Sequence, residues 1–407
     1  MTAATDIGER RGLLTIVTLA SVSSQLVAGL IWSGLPHYAA VVTGQYALYG
    51  LLFVISSVAG VIAPMVGGYI PTRISSVSIA ICASLITASS YMVVANLDFT
   101  GGTLAIAIVL LVGSLAGALS APAFGDLLGR IQKQAYDGDL EAGSGHYQTF
   151  VMMAKMLGFA LGPIAFGYLG ITLLYIIAFG FVVEAALLYS MRYYDKPEAE
   201  PSRGTGAFLS WPLLRRTRVE LAVAFLNGVM SFPLISLALI VLGARLDADT
   251  VTVSAFWLAT GATSVAINAL VARGAIRKAG RRLSLVVATL MVFAAICAVA
   301  FAPNAIFLII GFCMFTIGNP IIGAVSRNFF FHAAPDSERR VFFGVVQTVM
   351  ALGVSAGVAG ITLIDQGLKS SGSIPMLVAF AALLLMRIVL MSRAVRRFET
   401  TESIAKG

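Results

Sequence analysis

Charge is what this chain has least of. Only 11% of its 407 residues are Asp, Glu, Lys or Arg, against 58% hydrophobic, where a soluble domain carries about 25% charged residues. An ordinary soluble globular domain is thereby excluded. Cysteine is nearly as scarce. Cys82, Cys297 and Cys313 each lie inside an apolar run without paired or metal-like spacing, so they read as small packing residues, not as a disulfide framework or a metal site. Histidine is limited to His37, His146 and His332, in or beside predicted loops. No nucleotide-binding loop and no Ser/His/Asp constellation accompanies them. Neither an enzyme nor a cofactor is expected.

What the chain has in quantity is long apolar runs without polar alternation, the pattern of membrane spans. At roughly 20 apolar residues per span, twelve are expected, the first six at about 12–35, 46–70, 76–96, 103–128, 147–168 and 171–191. The second six fall at about 220–243, 251–272, 283–302, 305–330, 341–364 and 374–392. The opening "MTAATDIGERR" is polar and the run behind it is too long for a signal core, so the first span is expected to be retained.

Basic residues set the orientation. With the N-terminus inside, 23 of the 27 Lys and Arg fall in cytoplasmic segments, Arg327 counted among them. Arg245 and Lys369 fall outside, while Lys155 and Arg387 fall within spans. Both termini are expected in the cytoplasm of a multi-pass cell-membrane protein. The net charge of +8 then reflects insertion into a bilayer, and no nucleic-acid partner is expected.

The polar stretch from Arg192 to Glu220 divides the chain. The expected organisation is all-α: an N-terminal six-helix bundle (1–191), a cytoplasmic loop (192–219), a C-terminal six-helix bundle (220–392) and a cytoplasmic tail (393–407). Echoes link the halves. Pro122 and Gly125 in span four match Pro320 and Gly323 in span ten; "LGFALGP" from Leu157 in span five matches "LGVSAGV" from Leu352 in span eleven. Equivalent spans run in the same direction, which makes a parallel repeat. Two such bundles rocking about a midplane cavity have the physics of a carrier.

The loops and the fifth span carry a family resemblance. Between spans two and three, "GYIPTRISSV" keeps Gly68 and Arg73 of the pattern Gly-x-x-x-Asp-Arg-x-Gly-Arg-Arg but has Thr72 in place of its Asp. Between spans eight and nine, "RGAIRKAGRR" keeps Gly280, Arg281 and Arg282. With these motifs in both halves, the chain resembles the major facilitator superfamily over nearly its whole length. The resemblance implies that these loops latch an inner gate, here a differently built one for want of the Asp. "GFALGPIAFG" from Gly158 resembles the family's fifth-span motif associated with antiporting exporters, with Phe166 in place of a glycine. Gly158 and Gly162 give a flat helix face able to pack against the other half, and Pro163 removes a backbone donor and bends the helix.

The remaining candidates are polar residues within spans. A mid-span lysine costs a few kcal/mol, so Lys155 is expected either to pair with Glu184, at matching depth in span six, or to contact an anionic substrate. Its counterpart in the second half is Met350. Gln25, Asn227, Trp257, Asn319 and Gln347 lie at mid-depth and serve either as interhelical hydrogen-bonding groups or as the sparse polar lining of an apolar pocket. Asp126 and Arg130, four apart, are expected to pair near the gate. Arg387 is expected to snorkel, and His37 to cap the outer end of span one. Span one holds no acid, and Gly113 stands where the family's fourth-span motif has Arg. If protons couple, Glu184 is the best-placed acid.

The expected function is a secondary transporter exporting a small amphipathic or drug-like compound by proton antiport, working as a monomer in the bilayer. An importer or uniporter of an anionic metabolite is the nearest alternative. A non-transporting receptor or scaffold is the alternative of another class.

Overall fold

A chain crossing hydrocarbon must satisfy its own backbone polar groups, and helices do so within one segment. The computed structural model describes residues 2–43, 58–70, 74–97, 103–194, 211–242, 246, 250–335, 338–371 and 374–406, and every regular element among them is helical. In the first half these are α1 (Thr2–Thr43), α2 (Val58–Gly68), α3 (Ser76–Ala95), α4 (Thr103–Ala135), α5 (Leu140–Leu169) and α6 (Leu173–Tyr189). The second half has α7 (Trp211–Arg216), α8 (Arg218–Ile240), α9 (Thr250–Ala272), α10 (Ala275–Ala279), α11 (Arg281–Phe301), α12 (Ala305–Ala333), α13 (Arg339–Ser371) and α14 (Ile374–Lys406). Nine described stretches are long and apolar enough to cross a membrane. Part of the expected second span, and Thr72 and Arg73 of the first loop motif, lie outside the described residues.

Several helices overrun the expected spans, because hydropathy marks only the apolar portion while intrahelical bonding continues past it. This changes three expectations. His37 does not stand at a helix end, since α1 continues to Thr43. Arg327, counted among the cytoplasmic residues although the span 305–330 contains it, lies within α12, which continues to Ala333. Arg387 does not snorkel. It is 1% exposed, because α14 runs on to Lys406 and packs there on α8 and α11. Side-chain caps begin α3, where Ser75 accepts from the Ser78 N–H at 3.2 Å, and α12, where Asn304 accepts from the Phe307 N–H at 2.9 Å.

The chain separates into two compact units, residues 1–139, 150–208 and 336–348 in the first and 140–149, 209–335 and 349–407 in the second. In the first, α3 packs on α4 and α6, and α1 on α6 and α4. Val27, Ile31, Leu35, Phe166, Leu174 and Ile177 lie in one buried cluster. The flat face of α5 is used inside this unit, against α1. A Cβ at Gly158 would strike the Leu26 carbonyl and come within 2.9 Å of Gly29 Cα. One at Gly162 would strike Ser33 and lie 2.7 Å from the Leu30 carbonyl oxygen. Small residues let these backbones touch, which in a bilayer replaces the missing hydrophobic drive between helices. Pro163 lies within α5, which is continuous from Leu140 to Leu169.

In the second unit α12 packs on α11 and α9, and α14 on α11 and α8. The same glycine device recurs. A Cβ at Gly228 of α8 would strike the Met350 carbonyl of α13, and one at Gly353 would strike the Phe225 carbonyl. In the first unit a Cβ at Gly29 would strike the carbonyl of Lys155. The two units thus equate Lys155 with Met350 and Gly158 with Gly353, the correspondence the sequence echoes suggest.

Candidate functional site

Within the first unit the polar residues of the spans gather around Glu184 of α6. Ser84 of α3 lies 2.8 Å from Glu184 Oε2, and Ser24 of α1, whose Oγ donates to the Ser21 carbonyl at 3.2 Å, stands beside the carboxyl. Ser84 Oγ is in addition 3.0 Å from the Ala80 carbonyl oxygen. A hydroxyl has one hydrogen and two acceptor lone pairs. An ionised Glu184 therefore accepts from Ser84. A protonated Glu184 donates to Ser84 Oγ, whose own hydrogen turns to the Ala80 carbonyl. The same side-chain positions serve both protonation states.

Lys155 is half-buried on α5, with its Nζ 5.8 Å from the centre of the Phe159 ring. No ion pair joins it to Glu184 among the described residues. Gln25 is half-buried on α1, directly after Ser24. Gln347 of α13 donates to the Ala121 carbonyl at 3.4 Å.

Toward one end of this unit, Asp126 of α4 pairs with Arg130 at 3.3 Å and with Arg339 of α13 at 3.8 Å. Arg340 donates to Ser76 Oγ at 2.7 Å and reaches the carbonyls of Ile70 and Ile74 at 3.5 Å. Gly68 opens this loop, and a Cβ there would lie 3.1 to 3.3 Å from Arg340 and Val341 backbone. Arg340 binds hydroxyl and carbonyl oxygens, and Asp126 on α4 brings a carboxylate to Arg339.

The second unit has its own charged cluster. Arg281 Nε of the second loop motif donates to Glu141 at 2.6 Å, and Asn328 donates to the same carboxyl at 2.8 Å. Arg327 donates from Nη1 to Ser144 at 2.7 Å. With the Gln148 amide turned so that its oxygen faces the guanidinium, that oxygen accepts from Nη2 at 2.9 Å and from Nη1 at 3.3 Å. Gly274 and Gly280 take left-sided φ values of 77° and 85° at either end of α10, conformations that suit glycine. Arg282 follows, exposed.

Higher in the second unit, α8 and α12 meet through two polar pairs. Asn227 donates to Ser326 Oγ at 3.2 Å, and Ser231 to Asn319 Oδ1 at 3.4 Å. Asn227 Oδ1 is buried without a hydrogen-bond partner. Trp257 is 8% exposed and stands edge-on to Phe256, 5.4 Å between centroids, and Phe256 in turn lies 5.1 Å from Phe312. Asn268, another mid-depth polar residue, donates to Ser264 on its own helix.

Of the residues singled out from sequence, Asn227 and Asn319 share one helix seam, Glu184 gathers serines, and Arg281 holds Glu141. Lys155 and Glu184 stay apart, and Trp257 sits in an aromatic cluster. Ser84, Glu141, Arg327 and the α13 arginines were not anticipated. For Glu141, Ser144 and Gln148 a signal existed: positions i, i+3 and i+7 line one helix face.

With two units, paired loops and repeated helix crossings in view, comparison with known proteins is direct. The model of the Major Facilitator Superfamily matches residues 17–358. The chain belongs to that superfamily. It is a multi-pass membrane transporter by family, not an enzyme. No curated protein matches the chain. Among solved structures it is similar to the human organic anion transporter MFSD10 (TETRAN), with TM-score 0.69 and 15% identity over 94% of this chain and 99% of that one. A bacterial homologue of the iron transporter ferroportin in an outward-facing state gives TM-score 0.70 at 15% identity, covering 94% and 99%. The proton:xylose symporter XylE bound to 6-bromo-6-deoxy-D-glucose gives TM-score 0.74 at 12% identity, covering 96% of each chain. At these identities the likeness is one of fold.

Proposed function

We propose that this superfamily member exports a small organic compound from the cell in exchange for protons, by alternating access, with Glu184 as the proton-carrying group. The observation that carries the proposal is the setting of that carboxyl. It lies in a membrane helix, its polar neighbours are the hydroxyls of Ser84 and Ser24, and no ion pair involves it among the described residues. A carboxylate held for structure alone would be expected to pair with a cation. One with neutral partners that accept either protonation state can take up and release a proton without rebuilding its surroundings. Direction is supported by Gly158, Gly162 and Pro163, which match the fifth-span motif of antiporting exporters. Both termini are assigned to the cytoplasm, and the working unit to a monomer.

A second function, import or uniport of an anionic metabolite, is favoured by Lys155, which has no ion pair among the described residues. The fold it shares with an organic anion transporter is compatible with that cargo.

The test begins with labelled compounds screened on cells with and without the protein. A compound so identified is then offered to inside-out and right-side-out vesicles under an imposed proton gradient. Accumulation in acid-loaded inside-out vesicles supports export by exchange. Uptake confined to right-side-out vesicles overturns it.

A further inference from the structure

Arg327 has the hydrogen-bonding pattern of an anion receptor. A guanidinium carries five N–H donors in a fixed plane. In Arg327, both hydrogens of Nη1 and one of Nη2 are directed at Ser144 and Gln148. The two that remain, on Nε and Nη2, lie on one edge of the plane and point the same way. That edge is the fork that matches the two oxygens of a carboxylate.

The charge around it is also incomplete. The neighbouring acid, Glu141, is engaged by Arg281 and Asn328. No ion pair reaches Arg327 among the described residues. It sits about 9 Å inside the inner end of α12 at the usual helical rise, where an uncompensated cation is unfavourable by a few kcal/mol. Ser144 and Gln148 orient the guanidinium but bring no negative charge.

There is space beside it. On α12, Asn319, Gly323 and Arg327 follow at four-residue intervals and so line one stripe. Asn319 at the outer end of the stripe is tied to Ser231 of α8. Gly323, between them, is exposed, and a Cβ there would meet nothing within 4 Å. The stripe therefore runs from a polar seam, across an open step, to a cation with a free donor edge. The repeat register set by Pro122 and Pro320 aligns Arg327 with Gly129. The charge is specific to the second half and no part of the common scaffold.

We infer that Arg327, oriented by Ser144 and Gln148, binds a carboxylate group of the transported compound in the space beside Gly323. This rests on the transport function proposed above and deepens it, because it assigns the cargo a negative charge and names the residue that recognises it.

Binding is tested on the purified full-length protein, without any gradient, by thermal unfolding in acetate, benzoate and 2-naphthoate, each against its uncharged amide. At least one carboxylate is expected to raise the unfolding temperature above its amide. R327Q should weaken that carboxylate by about ten- to a hundredfold, as loss of a charged hydrogen-bonding group does. R327K keeps the charge but loses the fork, and should fall between; it serves if R327Q fails to fold. S144A and Q148L report on a purely anchoring role, which would lower the unfolding temperature while leaving the carboxylate preference intact. The inference is overturned if no carboxylate exceeds its amide, if both arginine variants retain the full preference, or if inorganic phosphate alone stabilises. Since no proton movement is measured, failure here leaves proton exchange through Glu184 standing, and failure of proton exchange leaves anion binding standing.

Discussion

The carbonyl of Lys155 occupies the space that a side chain at Gly29 would need. The same relationship holds between Met350 and Gly228, so the two units share an equivalent helix crossing with no room for a Cβ. Gly29→Ala and Gly228→Ala are expected to destabilise by about 1–3 kcal/mol each, the usual range for overpacking. Gly117→Ala, at a site with nothing within 4 Å, should stay within about 0.5 kcal/mol of the wild type. Unfolding temperatures of the three purified variants decide the matter.

Lys155 and Glu184 should behave independently. Groups in one ion pair show coupling of about 0.5–3 kcal/mol, while separate sites add within about 0.5 kcal/mol. A double-mutant cycle of K155M and E184Q, read by unfolding, is expected to give additive effects. Coupling above 1 kcal/mol, beyond that additive range, would restore the ion pair that the sequence left open.

Glu141 and Arg281 should be coupled. Their side chains are 5% and 24% exposed with 2.6 Å between Nε and Oε1, so salt screens them less than a surface pair. E141Q and R281Q are each expected to destabilise, and the double variant by less than the sum. The coupling should lie within about 0.5–3 kcal/mol and change little with added salt.

Asp126 has two arginine partners of different value. Arg130 is 40% exposed and Arg339 9%. R130A is expected to cost no more than about 1 kcal/mol, as exposed pairs do. R339A and D126N should cost more, since each strips a partner from a buried group. Equal effects of R130A and R339A would show that the link to α13 is incidental.

Much of this architecture was legible in the sequence, for a physical reason. Bilayer thickness sets the length of an apolar run, so spans and family motifs stand out without knowledge of contacts. The echo of Leu157-Gly158 in Leu352-Gly353 even located equivalent helix crossings, because close approach demands glycine. Partnerships were less legible. Depth along a helix suggested Lys155 with Glu184, yet depth says nothing of which face a residue occupies, and Glu184 turns to serines of α1 and α3. Arg387 stands near the end of its apolar run, which suggests snorkelling, whereas α14 continues to Lys406 and the side chain is buried. The loop motif shows Thr72 where its Asp belongs, but nothing in it points to Arg340, far along the chain, as the group that binds Ser76 and the Ile70 and Ile74 carbonyls beside that loop.

Proton exchange through Glu184 is tested most directly by E184Q in proteoliposomes, using a compound transported by the wild type. The account predicts that E184Q retains substrate counterflow but loses substrate-driven proton movement, read by a pH-sensitive dye in the lumen. Proton movement at the wild-type rate in E184Q would contradict it.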